Sequence, residues 1–232
     1  MTLLSQQDAL TWLTHLPSES VDLVLTDPPY SSLEKHRSTG TTTRLKNSKS
    51  SSNTWFNVIP NDAFQSIFKE IYRILKPNSH FYLFCDQETM FAIKPFAEAA
   101  GFKFWKPLIW DKCAIGMGYH YRARYEFILF FEKGKRKLNN LGTADVLPFK
   151  RVWRGYPTEK PVDLLKVLIE QSTEPNEIVI DPFFGSGSTL MAAMELNRKY
   201  WGNDISDEAH QHFQMRLNTF IDKENNTAEP MA

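Results

Sequence analysis

The sequence predicts an α/β fold built on a doubly wound, mostly parallel sheet, and two stretches carry that expectation. Residues 21–30, Val-Asp-Leu-Val-Leu-Thr-Asp-Pro-Pro-Tyr, open with a short run rich in Val and Leu and break at Asp27, as a buried central strand does where it leaves the sheet. Residues 177–190, Glu-Ile-Val-Ile-Asp-Pro-Phe-Phe-Gly-Ser-Gly-Ser-Thr-Leu, repeat the order of strand, acid and proline, then add a glycine loop that opens a helix.

Pro28 and Pro29 have no N–H for a ladder and both fix φ, so the chain after Asp27 is a stiff, extended turn at the carboxyl end of a strand. Open α/β sheets bind ligands at that edge. An exocyclic amine carries two N–H donors, and Asp27 with the Pro28 carbonyl offers two acceptors. Accepting both hydrogens turns the nitrogen lone pair toward an electrophile, and Tyr30 supplies a face for a planar base. In the second stretch Gly185 and Gly187 permit a tight turn and close backbone approach to a ligand. It is not a phosphate loop, since the Walker lysine is missing, nor the full Gly-x-Gly-x-x-Gly dinucleotide pattern.

Together the two stretches resemble the amino-methyltransferases that use S-adenosylmethionine. Their order, catalytic motif first and cofactor loop last, resembles the permuted beta group of DNA adenine-N6 methyltransferases. The resemblance implies a seven-stranded Rossmann-like sheet with an antiparallel edge hairpin, double-stranded DNA as partner, base flipping, and a restriction-modification setting. It makes Asp27, Pro28, Pro29 and Tyr30 the catalytic motif and puts Asp27, Asp181, Phe183, Gly185, Ser186 and Gly187 around S-adenosylmethionine.

At 232 residues the chain suits a single domain with one good-sized core. No stretch approaches a membrane span, and the N-terminus has neither the basic start nor the apolar run of a signal peptide. Cys85 and Cys113 set no disulfide framework, so a cytoplasmic location is expected. Neither follows a proline, as a cytosine-C5 nucleophile would in the families that use one.

Whole-chain charge is balanced, 27 basic against 27 acidic residues, so any attraction to a polyanion must come from segregation. Residues 31–57 carry Lys35, Arg37, Arg44, Lys46 and Lys49 against Glu34 alone; residues 112–137 carry Lys112, Arg122, Arg124, Lys133, Lys135, Arg136 and Lys137 against Glu126 and Glu132. Both are candidate DNA-facing surfaces.

In chain order, Asp8 to His15 reads as a short helix with Asp8 near its start. Asp8 is either its N-cap or, by the resemblance, the acid that reaches the cofactor's adenine. Residues 31–53 are rich in Ser and Thr and hold almost no apolar residue except Leu33 and Leu45, which predicts that the basic stretch 31–57 is a mobile loop closing over the target nucleotide. Asp62 to Leu75 has a helical apolar period that Lys76-Pro77-Asn78 should stop. His80 to Cys85 reads as a buried strand with Cys85 a small core residue, and Gln87 to Ala100 as a helix. Phe102 to Trp110 and Tyr125 to Phe131 read as the edge hairpin. In its link, Arg122 and Arg124 suit phosphate, and Tyr119, His120 or Tyr121 suit an everted base. Residues 133–157 fill the interval where the family often carries sequence-reading elements, so a small recognition insert is expected there, with Lys135 and Arg136 on DNA.

Gly155 to Pro161 resembles the family's cofactor-side motif, with Tyr156 where His is usual. Thr158 or Glu159 is expected to cap the helix from Pro161 to Ser172, and Lys160 to reach an anionic carboxylate. A helix over Ser186 to Leu196, a strand over Lys199 to Asn203 and a helix over Ser206 to Ile221 follow, with a frayed tail from 223. Asp204, at a strand end after the glycine loop, is the candidate acceptor for both ribose hydroxyls. His210 and His212 lie two apart and face different ways, and no Cys/His spacing suggests a metal.

The expected reaction is methyl transfer to adenine N6, by a monomer or a homodimer. The rivals are cytosine-N4 methylation, RNA adenine-N6 methylation, protein glutamine methylation, and a silent binder of cofactor or DNA.

Overall fold

The computed structural model describes residues 3–31, 58–116, 120–153, 156 and 158–227. In chain order the elements are β1 (Leu3–Ser5), α1 (Ala9–His15), β2 (Val21–Thr26), a 3-10 turn (Asn61–Ala63), α2 (Phe64–Ile74), β3 (Leu75–Cys85), α3 (Gln87–Ala99), β4 (Lys103–Asp111), β5 (Tyr125–Lys133), β6 (Val146–Pro148), α4 (Val162–Ser172), β7 (Ile178–Asp181), α5 (Ser188–Glu195), β8 (Lys199–Asn203) and α6 (Asp207–Thr227).

One sheet organises them, in the order β1-β8-β7-β2-β3-β5-β4-β6. β5 runs antiparallel to both β3 and β4, and every other pairing is parallel. All six residues of β2 are buried, because helices cover both faces of the sheet here. Side chains alternate across a strand with period two. Val24, Phe81, Leu83, Leu129 and Ile180 therefore pack on one face, against α1, α2 and α3. Leu23, Leu25, Tyr82, Phe84, Ile128 and Val179 pack on the other, against α4, α5 and α6. From β2 the chain moves outward to β3, and β7 later returns to pair on its other side. The β2–β7 boundary is thus the topological switch point, where a crevice opens at the carboxyl ends.

Four details differ from the sequence expectation. The sheet has eight strands rather than seven, because Val146–Pro148 adds to β4 as a parallel edge. β3 starts at Leu75, which pairs with Val21 before the register shifts past residues 76–79; Asn78 absorbs the irregularity at φ 60°. The helix after the cofactor loop begins at Ser188, two residues later than expected, because Gly187 is left-handed. α6 continues through Thr227, past the point where fraying was expected.

Candidate active site

A cavity of about 1320 Å³ opens at the carboxyl edge over the switch point, lined by Asp27, Pro28, Pro29 and Tyr30 on one side and by Gly185, Ser186 and Asp204 on the other. The two stretches that defined the fold therefore face one space. They are joined beneath it, where Thr26 Oγ1 donates to Asp181 Oδ1 at 2.6 Å. Small-molecule sites commonly run to roughly 300–1,000 Å³, so this volume suits more than one bound group.

Strand periodicity decides which side chains meet Asp27. Leu23 and Leu25 face the α4–α6 side, so Asp27, the next alternate position, emerges on that side. Phe84 of β3 and Trp110 of β4 belong to the same layer. Because β5 is antiparallel, its first residues reach the carboxyl edge: Phe127 pairs with Cys85, and Glu126 with Trp110. From the loop before α4, Lys160 Nζ donates to Asp27 Oδ2 and sits 3.2 Å from Glu126 Oε1. Lys112 Nζ lies 2.9 Å from Glu126 Oε2. The rings of Phe84 and Trp110 stand 5.1 and 5.9 Å from Lys160 Nζ.

Burial pushes the Asp27 carboxyl up to about 6, against the pull of Lys160 and with a further push from Glu126. Burial also acts on Glu126, but Lys160 and Lys112 hold it below the ordinary carboxylate range. Burial would lower Lys160, yet Asp27 and Glu126 raise it above the usual lysine value. Asp181 is pushed up to about 7 by burial, partly offset by hydrogen bonds from Thr26 and Thr189.

The Pro28 carbonyl accepts no hydrogen bond from the described residues. Pro29 O accepts from Ile59 N at 2.7 Å, so the Pro-Pro turn is pinned by the strand-like residue that returns after the basic loop. Tyr30 bridges to Ile59 and is only 7% exposed, packed into the core. It forms part of the cavity wall.

On the opposite side, Gly185 N donates to Asp204 Oδ2 and Ser206 N to Asp204 Oδ1, both at 2.9 Å. Burial raises the Asp204 carboxyl and these two N–H groups offset part of the rise. Each oxygen retains lone pairs, so the group suits a vicinal diol. Phe183 and Ile205 add apolar surface, and Asp27 and Asp181 add acid. A sulfonium nucleoside needs that set: an acceptor pair for the ribose, apolar cover for the purine and acids near the cation.

Gly187 lies outside the cavity lining. It holds φ 74° as the N-cap of α5, and a Cβ there would stand 2.2 Å from Phe213 Cδ2. Gly187→Ala is expected to destabilise the fold by at least about 1–2 kcal/mol from the left-handed backbone alone, lowering the midpoint of thermal unfolding by about 2–4 °C per kcal/mol.

The other expected site residues divide. Asp8 accepts from Thr11 N at 2.9 Å as the N-cap of α1 and also borders the cavity. Thr158 and Glu159 line the cavity, but neither caps α4, whose N-cap is Pro161 without a side-chain bond. Glu159 instead accepts from Tyr156 N at 3.0 Å and pairs with Arg216 at 3.1 Å. Arg216 in turn donates to the Ser186 carbonyl at 2.9 Å, so this pair braces the glycine loop.

Lys35, Arg37, Arg44 and Lys46 lie outside the described residues. His120, Arg122 and Arg124 are exposed in the β4–β5 link, on the catalytic edge but outside the cavity lining. Arg124 forks onto Asp111 at 2.6 and 2.7 Å, and Arg122 Nε donates to Gly116 O at 2.7 Å. Lys135 and Arg136 follow the end of β5, where Lys133 pairs with Ser79, at the opposite edge of the sheet. There Lys135 N donates to Asn78 Oδ1 and Arg136 pairs with Glu177 at 3.1 Å. The antiparallel direction of β5 carries them away from Asp27.

The site residues missed from sequence were Glu126, Lys112, Trp110 and the segment Arg151-Val152-Trp153. Glu126 had a signal, an acid directly before the apolar run Phe127 to Phe131. Trp153 is 67% exposed, borders the cavity and carries the Arg151 guanidinium 3.8 Å over its ring.

Comparison with known proteins agrees with this geometry. The putative methylase YubD of Escherichia coli K12 is 32% identical over 213 residues, covering 91% of this chain and 88% of that protein. The DNA adenine methyltransferase YhdJ of the same organism is 28% identical over 243 residues, 87% of this chain and 77% of YhdJ. The crystal structure of an M1.HpyAVI–SAM complex superposes with a TM-score of 0.70 at 25% identity, covering 94% of this chain and all of that one. The family model for DNA methylases of the N6/N4 class matches residues 21–215, from β2 into the first half of α6, and the chain therefore belongs to that DNA methylase family, whose methyl donor is S-adenosylmethionine.

Proposed function

We propose that this chain methylates the N6 amine of adenine in DNA, on a base turned out of the duplex. One observation carries the reading: Asp27 and Pro28, whose carbonyl accepts no hydrogen bond from the described residues, line the same cavity as Asp204 and the glycine loop. The similarity to YhdJ, named for adenine, favours adenine over cytosine.

When bound, S-adenosylmethionine supplies an electrophilic methyl group on a cationic sulfur. Asp204, Gly185, Ser186, Phe183 and Asp8 are the residues to hold it. Adenine N6 is a weak nucleophile because its lone pair is delocalised into the ring. Asp27 and Pro28 O accept its two hydrogens and re-aim that lone pair, and such alignment is worth about 7–11 kcal/mol when complete. As the new N–C bond forms, the methyl–sulfur bond breaks with its electron pair left on sulfur; the nitrogen becomes positive, and the Asp27 carboxylate would stabilise that charge and receive the released proton. Asp27 lines the wall of the cavity, and a concave site of this kind supports the reading that the base is turned out of the stack. Trp153 and Arg151, exposed beside the cavity, are the residues we propose for contact with the DNA strand.

A protonated Asp27 gives up an acceptor site and its charge. Its folded value is raised, so kcat/KM for methyl transfer is expected to fall as the pH drops through about 6 and to level off above it. A profile flat from pH 5 to 8 contradicts the role. For the product, incubation of duplex DNA with methyl-labelled S-adenosylmethionine, digestion and mass spectrometry is expected to show N6-methyladenine. N4-methylcytosine alone would assign the rival chemistry.

A further inference from the structure

Asp27 must accept an amine, yet one of its oxygens is already held by Lys160. Lys160 is itself 8% exposed and spans two carboxylates, Asp27 from β2 and Glu126 from β5. A buried ammonium cannot release one counter-ion unless another keeps it compensated. Glu126 is that second partner, and its other oxygen is anchored by Lys112 at 2.9 Å. The rings of Phe84 and Trp110 close the remaining side of the ammonium.

Granting the amino-methylating role proposed for Asp27, we infer that Glu126 is a positioning residue that takes over Lys160 when the target amine binds, while Lys160 keeps Asp27 in its charged acceptor form until then. In the amine-free state the ammonium balances Asp27. When the amine arrives, its two hydrogens go to Asp27 and Pro28 O, and Lys160 shifts its weight to Glu126 without leaving the wall. No bond other than hydrogen bonds changes. The arrangement also limits a conflict: a cation held on Asp27 throughout the reaction would oppose the positive charge growing on the amine, and Glu126 offsets it.

The charged and titratable groups facing Asp27 are Lys160 from the loop before α4, Tyr30 from the turn after β2, Glu126 from β5, Lys112 after β4, Cys85 at the end of β3, and Asp181 from β7. Of these, Lys160 lowers Asp27 and Glu126 raises it. Neutralising each must therefore move the acid limb of the pH profile in opposite directions, which loss of packing alone would not do.

The test is the pH dependence of kcat/KM for methyl transfer to duplex DNA in the native enzyme, Glu126→Gln and Lys160→Gln, with thermal unfolding as a check that each variant is folded. Glu126→Gln is expected to move the limb about one pH unit downward and to lower the plateau, because Lys160 then stays on Asp27; Lys160→Gln is expected to move the limb upward by about one to three units. Glu126→Asp, which keeps the charge on a shorter arm, is expected to return the limb toward the native position. Either glutamine variant decides alone should the other not fold. Limbs that coincide with the native one, or that move the same way, overturn the inference. A native enzyme that transfers no methyl to DNA amines would instead reject the proposed function.

Discussion

Replacing Asp27 with alanine is expected to lower the single-turnover rate of methyl transfer about a thousandfold, while the affinity for S-adenosylmethionine falls only modestly. Removing one preorganised group that meets developing charge costs roughly 10²–10³ in rate, and Asp27 supplies both an acceptor and the charge, so the upper end applies. The structure gives a reason for the separation of rate from affinity. Asp27 stands at the β2 end of the cavity, whereas Asp204 and Gly185 hold the opposite side through their own hydrogen bonds. The alanine variant also leaves Lys160 with Glu126 as partner, so the wall does not acquire an uncompensated ammonium. Asp27→Asn, which keeps one acceptor and loses the charge, is expected to fall between. Rapid-quench measurements with labelled cofactor and isothermal calorimetry separate the two quantities; a rate within tenfold of native in Asp27→Ala would remove this residue from the chemistry.

Asp204→Ala is expected to act on the other quantity. The carboxylate that accepts from Gly185 N and Ser206 N is also the one suited to the ribose hydroxyls, so its loss removes a ligand contact and loosens the loop together. Hydrogen bonds to charged groups contribute about 1.5–3 kcal/mol, which corresponds to a roughly ten- to hundredfold weaker Kd for S-adenosylmethionine. At saturating cofactor the transfer rate is expected to stay near native. Calorimetry showing unchanged affinity would withdraw Asp204 from cofactor binding.

The parts of this site legible in the sequence were those written in consecutive residues. An apolar run ending in Asp27, Pro28 and Pro29 states its own strand and its own stop, and Gly185 and Gly187 state a turn. Helical segments were equally readable, because burial of one face imposes a period; α2 and α4 ended where the apolar spacing ended. What stayed hidden depends on sheet direction. Lys135 and Arg136 look like part of one basic tract with Arg122 and Arg124, yet β5 carries the two pairs to opposite edges. The same reversal brings Glu126 to the catalytic edge, although nothing in its local sequence points to Asp27.

Lys160 was expected to meet an anionic carboxylate and does meet one, but it belongs to the protein, 133 residues away in the chain. Thr158 and Glu159 have residue types that suit an N-cap. Thr158 is left-handed at φ 62° and Glu159 is drawn to Arg216 of α6, so tertiary contacts override the local preference. β6 was invisible because three residues, Val-Leu-Pro, carry no period and form a strand only where β4 offers an edge.

The proposed function requires the Asp27 turn and the Gly185 loop to serve one reaction across one cavity. A crystal structure of this enzyme with a non-reactive analogue of S-adenosylmethionine and a short adenine-containing duplex tests it most directly. The analogue's ribose is expected on Asp204, and an everted adenine is expected to donate from its exocyclic amine to Asp27 and the Pro28 carbonyl, with Lys160 retained on Glu126. An analogue bound away from the Gly185 loop, or an adenine amine that meets neither acceptor, would contradict it.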